Sequence, residues 1–448
     1  MPDSEKLNLL RDLGDGLILR WATPDDVEEL AQFNMAMHSD DPEEPDSRLY
    51  HWTYDLMRGN HPTTQASDFT LVVDTRHDNR IVSSLNLISQ TWAYEGIPFG
   101  VGRPELVATL PEYRRRGLVR LQMAMIHDLS ASRGELVTAI TGIPWYYRLF
   151  GYEMGLNLGG SRHYFWGRLI KDAPVETEPY RVRAATADDI PLLNNLYQAY
   201  LANSPIVRLR DEAQWHYEMF TAHPEAFSSN RPHVIETLDG RAVAYATWEP
   251  WASYFWIREI GVVPGHSWRA VGQFVSRFLR REAESLNPGR AADKQLTSVQ
   301  FNLGEDHPLY EALDPELGKQ SRPYAWYVRV PYIPAFLRHI APALEKRLAG
   351  SVMAGYTGTI RVNLFRSRFT LEWDTGLLKQ VGDGFETRDL EDGDALFPDL
   401  TFLQLLFGYR SIDELTLSFA DFYTKNNDAL VLLRILFPKR PSRTIPME

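Results

Sequence analysis

The chain has 448 residues, and its 47 Lys and Arg against 59 Asp and Glu give a formal net charge of −12. That length exceeds one hydrophobic core, so two or three domains are expected. The acidic balance opposes a phosphate backbone, so nucleic acid is not an expected partner. With no cysteine there is no disulfide framework, cysteine zinc site or thiol nucleophile.

In chain order, Met1 leads into the charged segment Pro2-Asp3-Ser4-Glu5-Lys6, which lacks the basic start and apolar stretch of a secretory leader. No apolar run is long enough to span a bilayer, and the expected location is the cytoplasm. Leu17-Ile18-Leu19 reads as a short strand. Thr23 follows, with Asp26 three residues on, the chemistry of a helix cap. Val27, Leu30 and Phe33 then recur at helical spacing. This unit returns one domain's length later. Tyr180-Arg181-Val182 is its strand, Thr186 and Asp189 its cap, and Ile190, Leu193 and Leu196 its helical stripe. The echo predicts a duplication, with domains at 1–175 and 176–332, joined through a Pro-punctuated linker from Lys171 to Pro179. Pro331 and Pro334 mark the next junction, and 333–448 forms a third, α+β domain. Within it we expect one amphipathic helix over Ala335 to Leu348, strands at 359–364 and 369–373, and short helices at 396–408 and 429–437.

Between the first helix and the next apolar segment, His38 to Asp46 carries five carboxylates, which suit either a cationic acceptor or a solvated loop. His127, His163 and His216 show no metal-ligand spacing, so no metal is assigned. Nor is there a G-x-S-x-G nucleophile.

The segment from Glu105 to Ile126 carries the chemistry. It reads as a strand through Val107-Ala108-Thr109, a turn at Pro111, the basic loop Arg114-Arg115-Arg116-Gly117, and a helix opening on Leu118-Val119-Arg120. Unpaired amides at a helix start favour an anion, and three arginines add charged donors. Pyrophosphate is the natural ligand.

Arg114-Arg115-Arg116-Gly117-Leu118-Val119 resembles the R-x-x-G-x-[GA] loop of GNAT-superfamily N-acetyltransferases, which binds the pyrophosphate of coenzyme A. Val119 stands where a small residue is usual. Downstream, Thr141-Gly142-Ile143-Pro144-Trp145-Tyr146-Tyr147-Arg148-Leu149-Phe150-Gly151-Tyr152 is similar to the Y-x-x-F-G-Y segment of the enhanced intracellular survival (Eis-type) acetyltransferases. The resemblance implies an α/β and α+β chain: two tandem GNAT-like domains, each a mixed sheet flanked by helices, and a C-terminal domain like sterol carrier proteins. It implies acetyl-CoA held by Val107, Ala108, Thr109, Arg114 to Arg120, Gly142 and Ile143. It makes Tyr147 the proton donor to the CoA thiolate and the C-terminal carboxylate, on Glu448, the base. It further implies a homo-oligomer and a small-molecule or peptide amine as acceptor. In the second copy Arg269 and Gly272 keep the loop's spacing but the triple Arg is lost, so that copy is read as degenerate. Two functions stay open: an acetyl-CoA-dependent N-acetyltransferase, and a non-catalytic sensor of acyl-CoA or lipid built on GNAT modules.

Overall fold

The computed structural model describes residues 10–168, 174–202, 204–387 and 389–444. Its first part contains β1 (Arg11–Gly14), β2 (Leu17–Trp21), α1 (Val27–His38), α2 (Ser47–Met57), β3 (Phe69–Asp74), β4 (Arg80–Tyr94), β5 (Ile97–Thr109), α3 (Leu118–Ser132), β6 (Val137–Ile140), β7 (Glu153–Leu158) and β8 (Arg162–Phe165). Next come β9 (Tyr180–Ala184), α4 (Ile190–Leu201), β10 (Ile206–Leu209), α5 (Glu212–His216), β11 (His233–Thr237), β12 (Ala242–Trp251), β13 (Tyr254–Val262), α6 (Trp268–Leu286), β14 (Ser298–Phe301), α7 (Pro308–Ala312) and β15 (Tyr324–Arg329). The last part holds α8 (Ile333–His339), α9 (Ala341–Ala349), β16 (Gly358–Asn363), β17 (Arg368–Asp374), β18 (Leu377–Gly382), β19 (Ala395–Leu396), α10 (Thr401–Leu406), α11 (Ile412–Ser418), β20 (Tyr423–Thr424) and α12 (Asn427–Leu436).

The sequence echo is a structural one down to single hydrogen bonds. The Asp26 carboxylate accepts from the Thr23 amide at 2.7 Å and from both Arg20 guanidinium ends at 2.6 and 2.7 Å. The Asp189 carboxylate accepts from the Thr186 amide at 2.7 Å and from Arg183 at 2.6 and 2.7 Å. Each Thr–Asp box leads the chain off a strand into the helix that buries Leu30 or Leu193.

The two halves share a sheet plan. In the first sheet β1 to β5 are antiparallel neighbours in sequence order, β6 joins β5 in parallel, and β15 and β7 follow. In the second, β9, β11, β12 and β13 are antiparallel, β14 joins β13 in parallel, and β8 follows. The strand beside β6 is thus β15, from the second half, and the strand beside β14 is β8, from the first. The boundary suggested by the repeat separates helices, but each sheet is completed by a strand from across it. A further strand, β10, pairs with the end of β4.

The third sheet runs β18-β17-β16-β19-β20. Its helices share one core with the first sheet, joining Trp92, Phe99 and Trp326 to Phe336, Phe402 and Leu433. Here two helices differ from expectation. The helix expected over 335–348 is two, α8 and α9, because Pro342 in the first turn of α9 cannot donate the amide hydrogen bond that continuity needs. The helix expected over 396–408 is confined to Thr401–Leu406, since Leu396 is taken into β19 and Pro398 intervenes. Beyond α12 the chain crosses all three parts. The Arg440 amide donates to Gly408 O at 3.0 Å and that of Arg443 to Ile206 O at 3.3 Å. Thr444 O accepts from Trp326 Nε1 at 3.2 Å. Glu448, named as the base by resemblance, lies outside the described residues. Among the described residues no helix is long and apolar enough to cross a membrane.

Candidate functional site

A bulge in the middle of the first sheet organises the site. Asn86 of β4 faces Glu105 of β5, and Ser84 faces Ala108, so Leu106 and Val107 together oppose one residue of β4. Leu106 takes φ +52°, a left-handed conformation that turns the β5 backbone out of its ladder. On its other side β5 pairs with β6 only at Val101↔Val137 and Gly102↔Thr138, after which the strands part. The parting coincides with Gly102, where a Cβ would run into Glu135 and Ser130. Backbone groups of β5 beyond that point are therefore free of a partner strand on the β6 side.

The basic loop is built as an anion cradle. Tyr113, anchored by its hydroxyl to the buried Asp74 carboxylate at 2.9 Å, ends the turn after Pro111. Arg115 and Gly117 then take φ +63° and +77°, and Gly117 caps α3 in an exposed position with open space where a side chain would stand. The Leu121 amide, bonded to Gly117 O at 3.2 Å, begins the helical pattern. The amides before it, from Leu118 to Arg120, lack intrahelical acceptors and leave a positive pole. Arg114 and Arg115 stand exposed beside it.

Loop and bulge face one groove of 640 Å³. Of the residues singled out in the sequence it gathers Val107, Ala108, Thr109, Arg114, Arg115, Gly117, Leu118, Val119, Arg120 and Ile143. Arg116 is not among the lining residues but holds its guanidinium 5.3 Å from the ring centre of Tyr113, which is, and the Gly142 carbonyl accepts from the Tyr324 hydroxyl at 3.2 Å. Val119 is only half exposed and packs partly against the core under α3.

Of the two adjacent tyrosines, Tyr146 lines the groove and Tyr147 is 3% exposed beneath it. The Tyr147 ring centre is 5.3 Å from that of Tyr146 and 5.6 Å from that of Tyr327, which β15 brings in from the second half. Burial holds the Tyr147 phenol well above its usual pKa, and the nearby Glu105 charge pushes the same way. The phenol is therefore protonated at neutral pH.

Several polar residues at the bulge belong to no motif that marks them in the sequence. Glu105 and Arg103 face Asn86 and Ile88 across the strand pair, so they share the sheet face that α1 and α2 cover. The Asn86 side chain is fully buried and neither its oxygen nor its nitrogen has a hydrogen-bond partner. Arg103, also fully buried, pairs with Glu105, leaving its Nε and Nη1 unpartnered. Burial raises the pKa of Glu105, against the opposing pull of Arg103. His38, at the end of α1, lines the groove; burial depresses its pKa, and its Nε2 is unpartnered. The signal was faint: one Asn inside the apolar run of β4 and an Arg–Glu alternation before the Val107 strand end. By contrast, none of the five carboxylates between His38 and Asp46 lines the groove. Asp40, Asp41, Glu43 and Glu44 are exposed, and Asp46 caps α2 through the Arg48 amide at 3.0 Å.

In the second half, the corresponding arginine is spent. Arg269 donates to Ala312 O at 2.6 Å and is clasped by Glu316. Among the described residues no cluster of His, Asp and Glu has the geometry to hold a metal ion.

The family model of the acetyltransferase (GNAT) domain matches residues 19–155, which contain the groove. No curated protein matches the sequence. Solved structures resemble the whole chain. A probable N-acyltransferase of Enterococcus faecalis is 15% identical with a TM-score of 0.65, covering 95% of this chain and 97% of its own. A GCN5-related N-acetyltransferase of Kribbella flavida is 16% identical at 0.62, covering 96% and 98%. Eis1 of Mycobacterium abscessus is 15% identical at 0.57, covering 96% and 99%. At such identities the likeness is one of fold.

Proposed function

We propose that this chain is an acetyl-CoA-dependent N-acetyltransferase that acylates an amine by direct attack on the thioester. The observation that carries the reading is the single groove in which an amide-rich helix start, two exposed arginines and the bulged strand meet beside a buried, protonated tyrosine. In this reading 1–175, completed by β15, is the catalytic unit, 176–332 is a GNAT-like partner that does not bind CoA, and 333–448 is a sterol-carrier-like closing domain.

Amides of Leu118 to Arg120 with Arg114 and Arg115 bind the pyrophosphate by charge-assisted hydrogen bonds. The pantetheine arm then extends along Val107 to Thr109, where the unpaired backbone supplies hydrogen bonds, and the thioester reaches the gap between β5 and β6. There a backbone amide at the bulge polarises the carbonyl. The amine arrives from the face that carries Asn86, Arg103 and Glu105. Its nitrogen forms the new amide bond, the C–S bond breaks, and Tyr147 protonates the departing thiolate. The amine's proton goes to a carboxylate, which we assign to the C-terminus at Glu448; Thr444, four residues earlier, is docked against Trp326 of the first sheet.

Release of free thiol from acetyl-CoA against a panel of polyamines, aminoglycosides and lysyl peptides tests the proposal. Amine-dependent release is expected. Tight CoA binding with no turnover on any amine would instead identify a sensor.

A further inference from the structure

Residues 141–152, which carry Tyr146 and Tyr147, connect β6 to β7 and pass through left-handed backbone at Gly142, with φ +112°, and at Trp145, with φ +66°. Glycine adopts such a conformation freely, whereas a side chain as bulky as tryptophan holds it only where its surroundings over-determine it. Both points are tied to one strand of the second half. β15 lies between β6 and β7, with Tyr327 opposite Ile140 on one side and Met154 on the other. From this strand the Tyr324 hydroxyl donates to Gly142 O at 3.2 Å, and the Tyr327 hydroxyl accepts from the Trp145 amide.

Tyr327 meets the same loop at two further points. Its ring centre is 5.6 Å from that of Tyr147, edge to face, and the Arg148 guanidinium, held by Glu153 at 3.0 Å, stands 5.8 Å from it on another side. One fully buried side chain thus meets the amide of Trp145, the ring of Tyr147 and the head of Arg148. Tyr146 and Tyr152 also pack beside Tyr147, at 5.3 and 6.2 Å between ring centres, but both belong to the loop and move with it. Tyr327 is carried by the sheet. It is therefore the neighbour that can fix the direction of the Tyr147 phenol relative to the groove.

We propose that Tyr327 is a positioning residue for the acyl transfer, holding the Tyr147 phenol, through the Trp145 amide and the Tyr147 ring, where the thiolate of coenzyme A departs. The inference rests on the reading of Tyr147 as the proton donor. In that step the Tyr147 proton passes to sulfur and is replaced from solvent, while Tyr327 gains and loses none. The second half thereby enters the reaction without binding coenzyme A.

Tyr327→Phe deletes the hydroxyl and keeps the ring. It is expected to lower kcat by about tenfold while acetyl-CoA affinity by calorimetry holds, because the cradle at the start of α3 is untouched. The loss is expected to vanish in the Tyr147→Phe background, where no phenolic proton is left to aim; a residue that only supports the fold would cost the double variant as much as it costs the wild type. Tyr324→Phe removes the companion bond at a glycine that keeps its φ unaided, and is expected to change kcat by about twofold or less. Crystals of the full-length protein with CoA read the geometry without turnover: the Tyr147 oxygen is expected within hydrogen-bond reach of the CoA sulfur in the wild type and displaced in Tyr327→Phe. Unchanged kcat in Tyr327→Phe, an equal loss in the Tyr147→Phe background, or a phenol that stays in place would overturn the proposal. A wild type that releases no thiol with any amine, while its phenol meets the sulfur and shifts in Tyr327→Phe, would instead refute the acetyltransferase reading and leave the positioning role standing.

Discussion

Glu105 and Asn86 stand directly opposite one another across β4 and β5, and Asn86 is buried with both polar atoms of its side chain unpaired. Stability alone would favour an apolar residue there. Asn86→Leu is therefore expected to raise the melting temperature, acetyl-CoA affinity to hold, and the KM for the amine to rise by about tenfold. A variant that is both less stable and unchanged in KM would show that Asn86 serves packing.

The cradle prediction concerns Arg115 and Gly117. Removing a charge-assisted donor costs about 1.5–3 kcal/mol, so Arg115→Ala should weaken acetyl-CoA binding by about tenfold or more. Gly117→Asp should do so more severely, because it strains a φ of +77° and sets a carboxylate against phosphate. Calorimetry with unchanged affinity in both would remove the pyrophosphate assignment.

Tyr146 and Tyr147 are told apart by kinetics. Tyr147→Phe is expected to lower kcat by about a hundredfold, the scale of a lost general acid, with acetyl-CoA affinity retained. Tyr146→Phe, at the groove wall, should act mainly on KM. The reverse pattern in steady-state kinetics would transfer the proton-donor role to Tyr146.

Deleting Met447 and Glu448 is expected to abolish turnover and leave acetyl-CoA binding intact, since the tail contacts through Thr444 remain. Full activity in that truncation would move the base to a side chain, with His38, which lines the groove with an unpartnered Nε2, as the first to substitute.

Stability should fall as pH drops from 7 to 5. Burial lowers His61, His127 and His307 to about 3 and His233 to about 4. Below the unfolded value near 6.5 the unfolded chain takes up protons that the folded chain refuses. Each group then costs up to ~1.4 kcal/mol per pH unit until its folded pKa is reached. Urea midpoints that do not change over this range would contradict the depressed values. His127→Gln should flatten the profile by one group's share.

What was legible in the sequence was local. Thr23 with Asp26, and Thr186 with Asp189, cap helices because a short side chain and a carboxylate three residues on can satisfy each other's backbone without help from the rest of the fold. Arg114 to Gly117 reads as a cradle for the same reason: its geometry is that of one turn and one helix start. The helix break at Ile340 is also written locally, in Pro342, against the continuous apolar spacing around it. Tertiary structure alone decided what depends on residues far apart. Which strand stands beside β6 is a matter of competition between β8 and β15, two short strands without the strict alternation that would assign either to one sheet, so exchange between the halves leaves no periodic trace. The orphaned amide of Asn86 is invisible until Glu105 is put across from it. Trp145 and Tyr147 meet Tyr327 only because β15 is laid between β6 and β7, and the Trp145 amide and its acceptor are 182 residues apart in the chain.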